Sequence, residues 1–270
     1  MTWDLRCGPW QDTLADVECD ALIVDAPYSA RTHGRHDSGP TVGGSYGRST
    51  HGKQRSGTFI CESTRHTYTR RAIEYDGWTP EDVRAFVASW APRTRGWFVT
   101  ITDHTLAPVW DAALSDAGRY VFAPLPWVAR GSRIRLSGDG PSSWTCWIVV
   151  ARPRDRAFQR WGTLPGAYVM TGGEHPARRG ANIVAGAKPP NLMRALIRDY
   201  TRPGDLVCDP CAGGGTTLLA AVQEGRRAVG SEMDPETHAK AVERLKRKLA
   251  QGDLWAACER VKAAEQPDLL

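Results

Sequence analysis

The chain has 270 residues, of which 41% are hydrophobic and 24% charged, with a formal net charge of +5. That length predicts one large domain, or one and a half, with enough apolar residues to bury a real core. No stretch resembles a transmembrane span, and the opening Met-Thr-Trp-Asp-Leu-Arg lacks the basic and apolar regions of a signal peptide. Seven cysteines, an odd number without framework spacing, predict a reducing cytoplasm, and with no second Cys/His pair at metal spacing no metal site is expected.

The first element is a strand over Thr2 to Arg6, stopped at Cys7-Gly8-Pro9. Ala21-Leu-Ile-Val24 follows, a fully apolar run of the kind found in buried parallel strands. It delivers Asp25-Ala-Pro-Tyr28, which sets a carboxylate, a stiff turn and an aromatic ring at a strand's carboxyl end, where open α/β sheets bind ligands. Thr79-Pro-Glu-Asp82 starts a helix: Thr as cap, Pro at the first position, acids in the first turn. Val83, Phe86, Val87 and Trp90 recur at helical spacing and read as core. Gly96 to Ile101 is a strand, and Leu106, Val109, Trp110 and Ala113 mark a second helix closed near Gly118. Tyr120–Phe122 and Trp144–Val150 are further strands. Residues 152–187 lose periodicity and read as an insertion outside the sheet. A helix with Leu192, Ala195 and Leu196 inward ends before Pro203-Gly204. The last clear helix starts at Asp234-Pro-Glu and runs to about Ala250, with Ala239, Val242 and Leu245 inward, and one more short helix is expected beyond it.

Charge is unevenly distributed. Residues 29–71 hold eight Arg/Lys (Arg31, Arg35, Arg48, Lys53, Arg55, Arg65, Arg70, Arg71) against Asp37 and Glu62, with four histidines and seven glycines. The segment is therefore +6 and the rest of the chain −1. A long basic stretch without structure of its own suits a polyanion. Arg130, Arg133 and Arg135 form a second basic, turn-rich stretch.

Leu206-Val-Cys-Asp-Pro-Cys-Ala-Gly-Gly-Gly-Thr-Thr217 carries the most information. A short apolar strand ends at Asp209, three glycines follow, and Thr216 opens a helix that Gly225 closes. Arg227 to Ser231 is the next strand and delivers Glu232. Strand, glycine turn, helix, strand and acid make half of a nucleotide-binding unit. The third glycine of the dinucleotide fingerprint is missing, and no Gly-Lys-Ser/Thr follows, which removes a P-loop. S-adenosylmethionine (SAM) fits, with a ribose for Glu232 and positive charge for Asp209; any Rossmann-like turn is the plainer alternative.

The pairing of Asp25-Ala-Pro-Tyr28 with the later Asp209-Pro-Cys-Ala-Gly-Gly-Gly-Thr-Thr217 resembles the SAM-dependent DNA amino-methyltransferases, which modify N6 of adenine or N4 of cytosine. The motif order looks like their circularly permuted beta class. The likeness is strong over 188–245, good over 3–28 and weak between. Two departures stand out: Ala26 where Pro is usual, and Pro9 where Asp is common. The resemblance implies a Rossmann-like α/β methyltransferase fold, a mostly parallel sheet with helices on both faces. The chain would then be one methyltransferase domain, with residues 1–28 and 72–151 as catalytic half and 188–250 as SAM half. Residues 29–71 would be a DNA-facing loop, 152–187 a target-recognition insertion and 251–270 a tail.

By the same resemblance, Asp25, the carbonyl of Ala26, Pro27 and Tyr28 act on a flipped base. Asp209, Ala212, Gly213, Gly215, Thr216, Thr217, Glu232 and Lys188 hold SAM. Arg31, Arg35, Arg48, Lys53, Arg55, Arg130, Arg133 and Arg135 meet double-stranded DNA. Asp at position 25 favours adenine over cytosine. Pro210-Cys211 looks like the pair that marks cytosine-C5 enzymes but lies inside the glycine turn, so Cys211 reads as packing. A relative without catalysis stays open. The implied setting is a bacterial cytoplasm, for a cellular or phage-encoded protein. Further partners to weigh are a second copy of the chain and, through Gln266-Pro-Asp-Leu-Leu270, a sliding clamp, with a frayed tail as the plainer reading of those residues.

Overall fold

The computed structural model describes residues 2–32, 57–61, 66–70, 76–130, 144–170 and 187–265. They fall into two compact units: residues 1–25, 93–99 and 187–270 in the first, 26–92 and 100–186 in the second. Arg35, Arg48, Lys53, Arg55, Arg133, Arg135 and the Gln266–Leu270 tail lie outside the described residues.

The first unit is built on parallel strands in the order β1-β11-β10-β2, where β1 is Trp3–Cys7, β2 Ala21–Val24, β10 Leu206–Asp209 and β11 Arg227–Glu232. β2 is buried along its whole length, as an apolar run with both faces covered must be. Beyond β2 the strand β5 (Phe98–Thr102) begins, and Leu22 N–H donates to the Trp97 carbonyl at 2.9 Å. A short helix α1 (Trp10–Thr13) follows β1. Helix α4 (Pro190–Tyr200) buries Leu192, Met193, Leu196, Ile197 and Tyr200, one stripe at helical spacing. Helix α5 (Thr216–Gln223) buries its first six residues. Helix α6 runs unbroken from Pro235 to Glu265, so the expected stop near Ala250 and the separate short helix are one element. Its inner face is Ala241 and Leu245, both fully buried. Ala239 is exposed, contrary to expectation, because the helical repeat turns it away from those two positions.

The second unit has the strand order β5-β8-β7-β9, with β7 at Leu125–Ala129, β8 at Thr145–Arg152 and β9 at Tyr168–Met170; β6 (Tyr120–Val121) also pairs with β8. β8 is antiparallel to β6 and β7, and β9 is parallel to β7, so strand pairing in this unit is mixed. Helix α2 (Pro80–Trp90) has the anticipated start: Thr79 and Asp82 form a reciprocal capping box and Pro80 opens the helix. It buries Val83, Phe86, Val87 and Trp90. Helix α3 (Ala107–Asp116) buries Trp110, Ala113 and Leu114.

Three expectations need correction. β7 was not foreseen, because Pro126 inside Leu-Pro-Trp-Val-Ala reads as a loop. Residues 152–187 are not wholly outside the sheet: Arg152 closes β8 and Tyr168–Met170 forms β9. The basic segment is not structureless either, since β3 (Gly57–Cys61) and β4 (His66–Arg70) pair antiparallel from Gly57↔Arg70 to Cys61↔His66. Threonine and aromatic residues supply the β-propensity that the charge obscured. Among the described residues, no helix is long and apolar enough to cross a membrane.

Candidate active site

Three strands of the first unit end in acids: β2 runs into Asp25, β10 ends at Asp209 and β11 at Glu232. The register sets Cys208 beside Leu22 and Asp209 beside Gly230, so the acids share the carboxyl edge of the sheet. That edge is where parallel α/β sheets take ligands.

The glycine turn fills the space between Asp209 and α5. Gly213 and Gly215 adopt φ of 52° and 72°, a left-handed backbone that side chains resist. A Cβ at Gly213 would meet nothing within 4 Å, which leaves open room beside the backbone. The opposite holds at Gly230, where a Cβ would stand 2.8 Å from the Asp209 carbonyl oxygen and 2.9 Å from Leu218 Cδ1. Only glycine lets β11 lie this close to the turn. The Ala212 N–H donates to the Ser231 carbonyl at 2.9 Å and ties turn to strand. Arg244 of α6 reaches the turn from outside, donating to the Gly214 carbonyl at 2.6 Å and Thr216 Oγ1 at 3.0 Å. No site role for Arg244 was read from the sequence; its membership in the Ala-Val-Glu-Arg tail was the one available signal.

The electrostatics are those of a cation site. Asp209 is 1% exposed, and burial pushes its carboxyl up to about 7, with the charges of Asp25 and Glu232 adding to the rise. A Thr217 hydroxyl and the Cys211 N–H, the latter at 3.1 Å from Oδ1, pull the other way. Burial also raises Glu232, against backbone N–H groups of Asp234, Gly213 and Met233; the Asp234 N–H lies 2.8 Å from Oε1. Thr216 and Thr217 are both buried, so Thr217 serves this site through Asp209. The Cys211 thiol is driven well up by burial and by the same three acids, so it stays protonated and unreactive, in keeping with a packing role.

Asp25 is held from one side only. Its Oδ2 accepts from Lys188 Nζ at 2.7 Å, while Oδ1 is buried with no hydrogen-bond partner among the described residues. Burial raises the Asp25 carboxyl, and the Lys188 charge partly offsets this. Lys188, expected at the cofactor, has its ammonium on the Asp25 carboxylate. A buried acceptor with no donor is costly to keep. Here Oδ1 can accept from an N–H or O–H donor.

In the second unit, Ala26 is buried and Tyr28 is partly exposed, with the Trp78 N–H donating to the Tyr28 carbonyl at 2.9 Å. Arg31 and Arg130 are exposed, and the Arg130 N–H donates to the Met170 carbonyl at 2.9 Å.

Residues 152–243, about a third of the chain, match the family model described as DNA methylase. The chain is 31% identical over 142 residues to the Type II methyltransferase M.XycI of Xanthomonas campestris pv. cyanopsidis, covering 49% of this chain and 47% of the relative. It is 45% identical over 141 residues to the Type II methyltransferase M.Cfr9I of Citrobacter freundii, with the same coverage. The chain thus spans about half the length of the curated relatives it matches. Among solved structures, the M1.HpyAVI–SAM complex superposes with a TM-score of 0.60 at 17% identity, over 90% of this chain and 98% of that one. The fold is the Rossmann-like α/β fold of DNA methyltransferases, and the glycine turn, α5 and β11 lie inside the stretch that matches the DNA methylase family.

Proposed function

We propose that the chain transfers the methyl group of SAM to the exocyclic N6 of an adenine flipped out of double-stranded DNA. The observation that carries this reading is the half-held carboxylate of Asp25. Lys188 occupies Oδ2, and Oδ1 is buried and vacant, on the same sheet edge as Asp209 and Glu232.

The residues fit the cofactor. Of the three acids Asp25 is paired with Lys188, and the ionised form of the buried Asp209 carboxyl, raised to about 7, is stabilised by any cation placed beside it. Glu232, at the end of β11, suits a pair of ribose hydroxyls. When bound, SAM supplies an electrophilic methyl on sulfur, so transfer calls for no covalent enzyme intermediate.

The chain's own task is to make an amine nucleophilic. An exocyclic amino nitrogen shares its lone pair with the ring. An acceptor that takes one N–H, the Asp25 Oδ1, favours the pyramidal nitrogen of the transition state, and the carbonyl of Ala26 is assigned the second hydrogen. Lys188 donates to Asp25 Oδ2 and partly offsets the effect of burial on its carboxyl, and Tyr28 offers a ring for the base. The base leaves the helix to reach them. Exposed arginines such as Arg31 and Arg130 suit phosphates and predict affinity that falls with salt. Adenine is favoured by Asp at position 25, and the likeness to Type II methyltransferases supports DNA as the substrate.

The test is to incubate the protein with SAM and unmethylated genomic DNA, digest to nucleosides and weigh the modified base. N6-methyladenine is expected. N4-methylcytosine would keep the mechanism and overturn the choice of base, and no modified base would overturn the reading. Asp25→Ala should abolish transfer while SAM affinity changes by less than about threefold.

A further inference from the structure

Asp103, at the end of β5, makes no part of the site described above, yet it is the most heavily hydrogen-bonded acid among the described residues of its unit. It is 5% exposed. Its Oδ2 accepts from Ser29 N–H at 3.0 Å, Ser29 Oγ at 2.5 Å and Thr32 Oγ1 at 2.5 Å. Its Oδ1 accepts from Thr105 N–H at 3.0 Å and Leu106 N–H at 2.9 Å, which starts α3. Burial opposes ionisation of this carboxyl, but the donors hold it below the ordinary range. A helix start needs Oδ1 alone. The second oxygen is spent on the segment that follows Asp25 in the chain.

That segment is gripped a second time. Ser29 bridges to Trp78 in parallel β fashion, and Trp78 N–H bonds the Tyr28 carbonyl. Gly77 packs flat on it: a Cβ there would stand 2.5 Å from Ala30 N and 2.8 Å from the Ser29 carbonyl carbon. Trp78 is in turn wedged between Phe86 and Trp110, at ring-centroid distances of 5.2 and 6.0 Å. Residues 28–32 are thus contacted by Asp103 on one side and by Gly77 and Trp78 on the other.

We propose that Asp103 is a positioning residue for methyl transfer: through Ser29 and Thr32, with Gly77 opposing, it fixes the loop that carries the Ala26 carbonyl and Tyr28. This rests on the function proposed above. Loss of the grip should lower the chemical step, since misplacement by about 1 Å costs on the order of 10²-fold in rate.

The decisive comparison is at Thr32, which is half-buried. Thr32→Val keeps shape and loses the hydroxyl; Thr32→Ser keeps the hydroxyl and loses a methyl. Single-turnover methylation is measured with active sites counted by SAM binding, so a folding defect does not enter the rate. T32V should be about tenfold slower and T32S within about twofold of the parent, because a hydrogen bond to a charged group is lost in one and kept in the other. Asp103→Asn should be slower by about 10²-fold with SAM affinity unchanged, and Gly77→Ala should reproduce the defect from the other side. Equal rates for T32V and T32S, or a D103N rate within about twofold of the parent, would overturn the proposal. An inactive parent chain would instead overturn the function on which it rests.

Discussion

SAM affinity should depend on pH through a single buried acid. The Asp209 carboxyl is raised to about 7 by burial, with Asp25 and Glu232 adding like charge. A cationic ligand binds the ionised form, so binding draws a proton off Asp209 at neutral pH. With half-ionisation at about 7, the ionised fraction is ~0.1 at pH 6 and ~0.9 at pH 8. The dissociation constant should therefore be ~10-fold weaker at pH 6 than at pH 8, with a plateau above. Isothermal titration in two buffers of different ionisation enthalpy measures both the affinity and the proton released. Asp209→Asn should bind more weakly and lose most of the slope, and ionisation of the ligand itself cancels in that comparison. The same group sets the stability of the ligand-free protein. Folded Asp209 keeps its proton up to about 7, whereas the unfolded chain releases it near the ordinary 3.8. The folded state thus binds more protons between these values, and its stability falls as pH rises across the window, by up to ~4 kcal/mol. A pH-independent affinity in the parent protein, or a slope that persists undiminished in D209N, would refute the reasoning.

Lys188→Met removes the charge that partly offsets the burial of Asp25. The Asp25 carboxyl should rise further, so the acid limb of the methylation rate moves to higher pH; an unmoved profile would sink this role for Lys188. Gly230→Ala drives a Cβ into the Asp209 carbonyl and Leu218. A loss of about 1–3 kcal/mol is expected in urea denaturation, as for other overpacked sites, along with weaker SAM binding; an unchanged midpoint would show that β11 can move away.

The glycine turn was readable because its chemistry is local. An apolar run must be a strand, and consecutive glycines after it serve little but an unusual backbone, which Gly213 and Gly215 adopt. Asp25 was readable for the same reason, as the first polar residue after a wholly buried strand. What escaped was whatever depends on distant partners. Lys188 and Asp25 are 163 positions apart, and nothing in either neighbourhood announces the ion pair. Asp103 looks in sequence like an ordinary helix start, because the hydroxyls on its second oxygen come from residues 71 and 74 positions away. Gly230 passes as a weak spot in a strand until the Asp209 backbone is seen against it. β7 and β9 were hidden by a proline and by shortness, where neighbouring strands overrule local preference.

The crowd of acids at the sheet edge has a bearing on turnover. Asp25 is paired with Lys188, and under the proposed function the negative charge at this edge would attract a methyl donor through its positive sulfur. Once the methyl had moved, what remained of the donor would be a thioether without that charge. The acids would then have lost part of their attraction for the guest, while the next donor would arrive carrying it. An electrostatic bias of this kind opposes product inhibition with no moving part, and it comes from three strand ends that happen to finish on carboxylates.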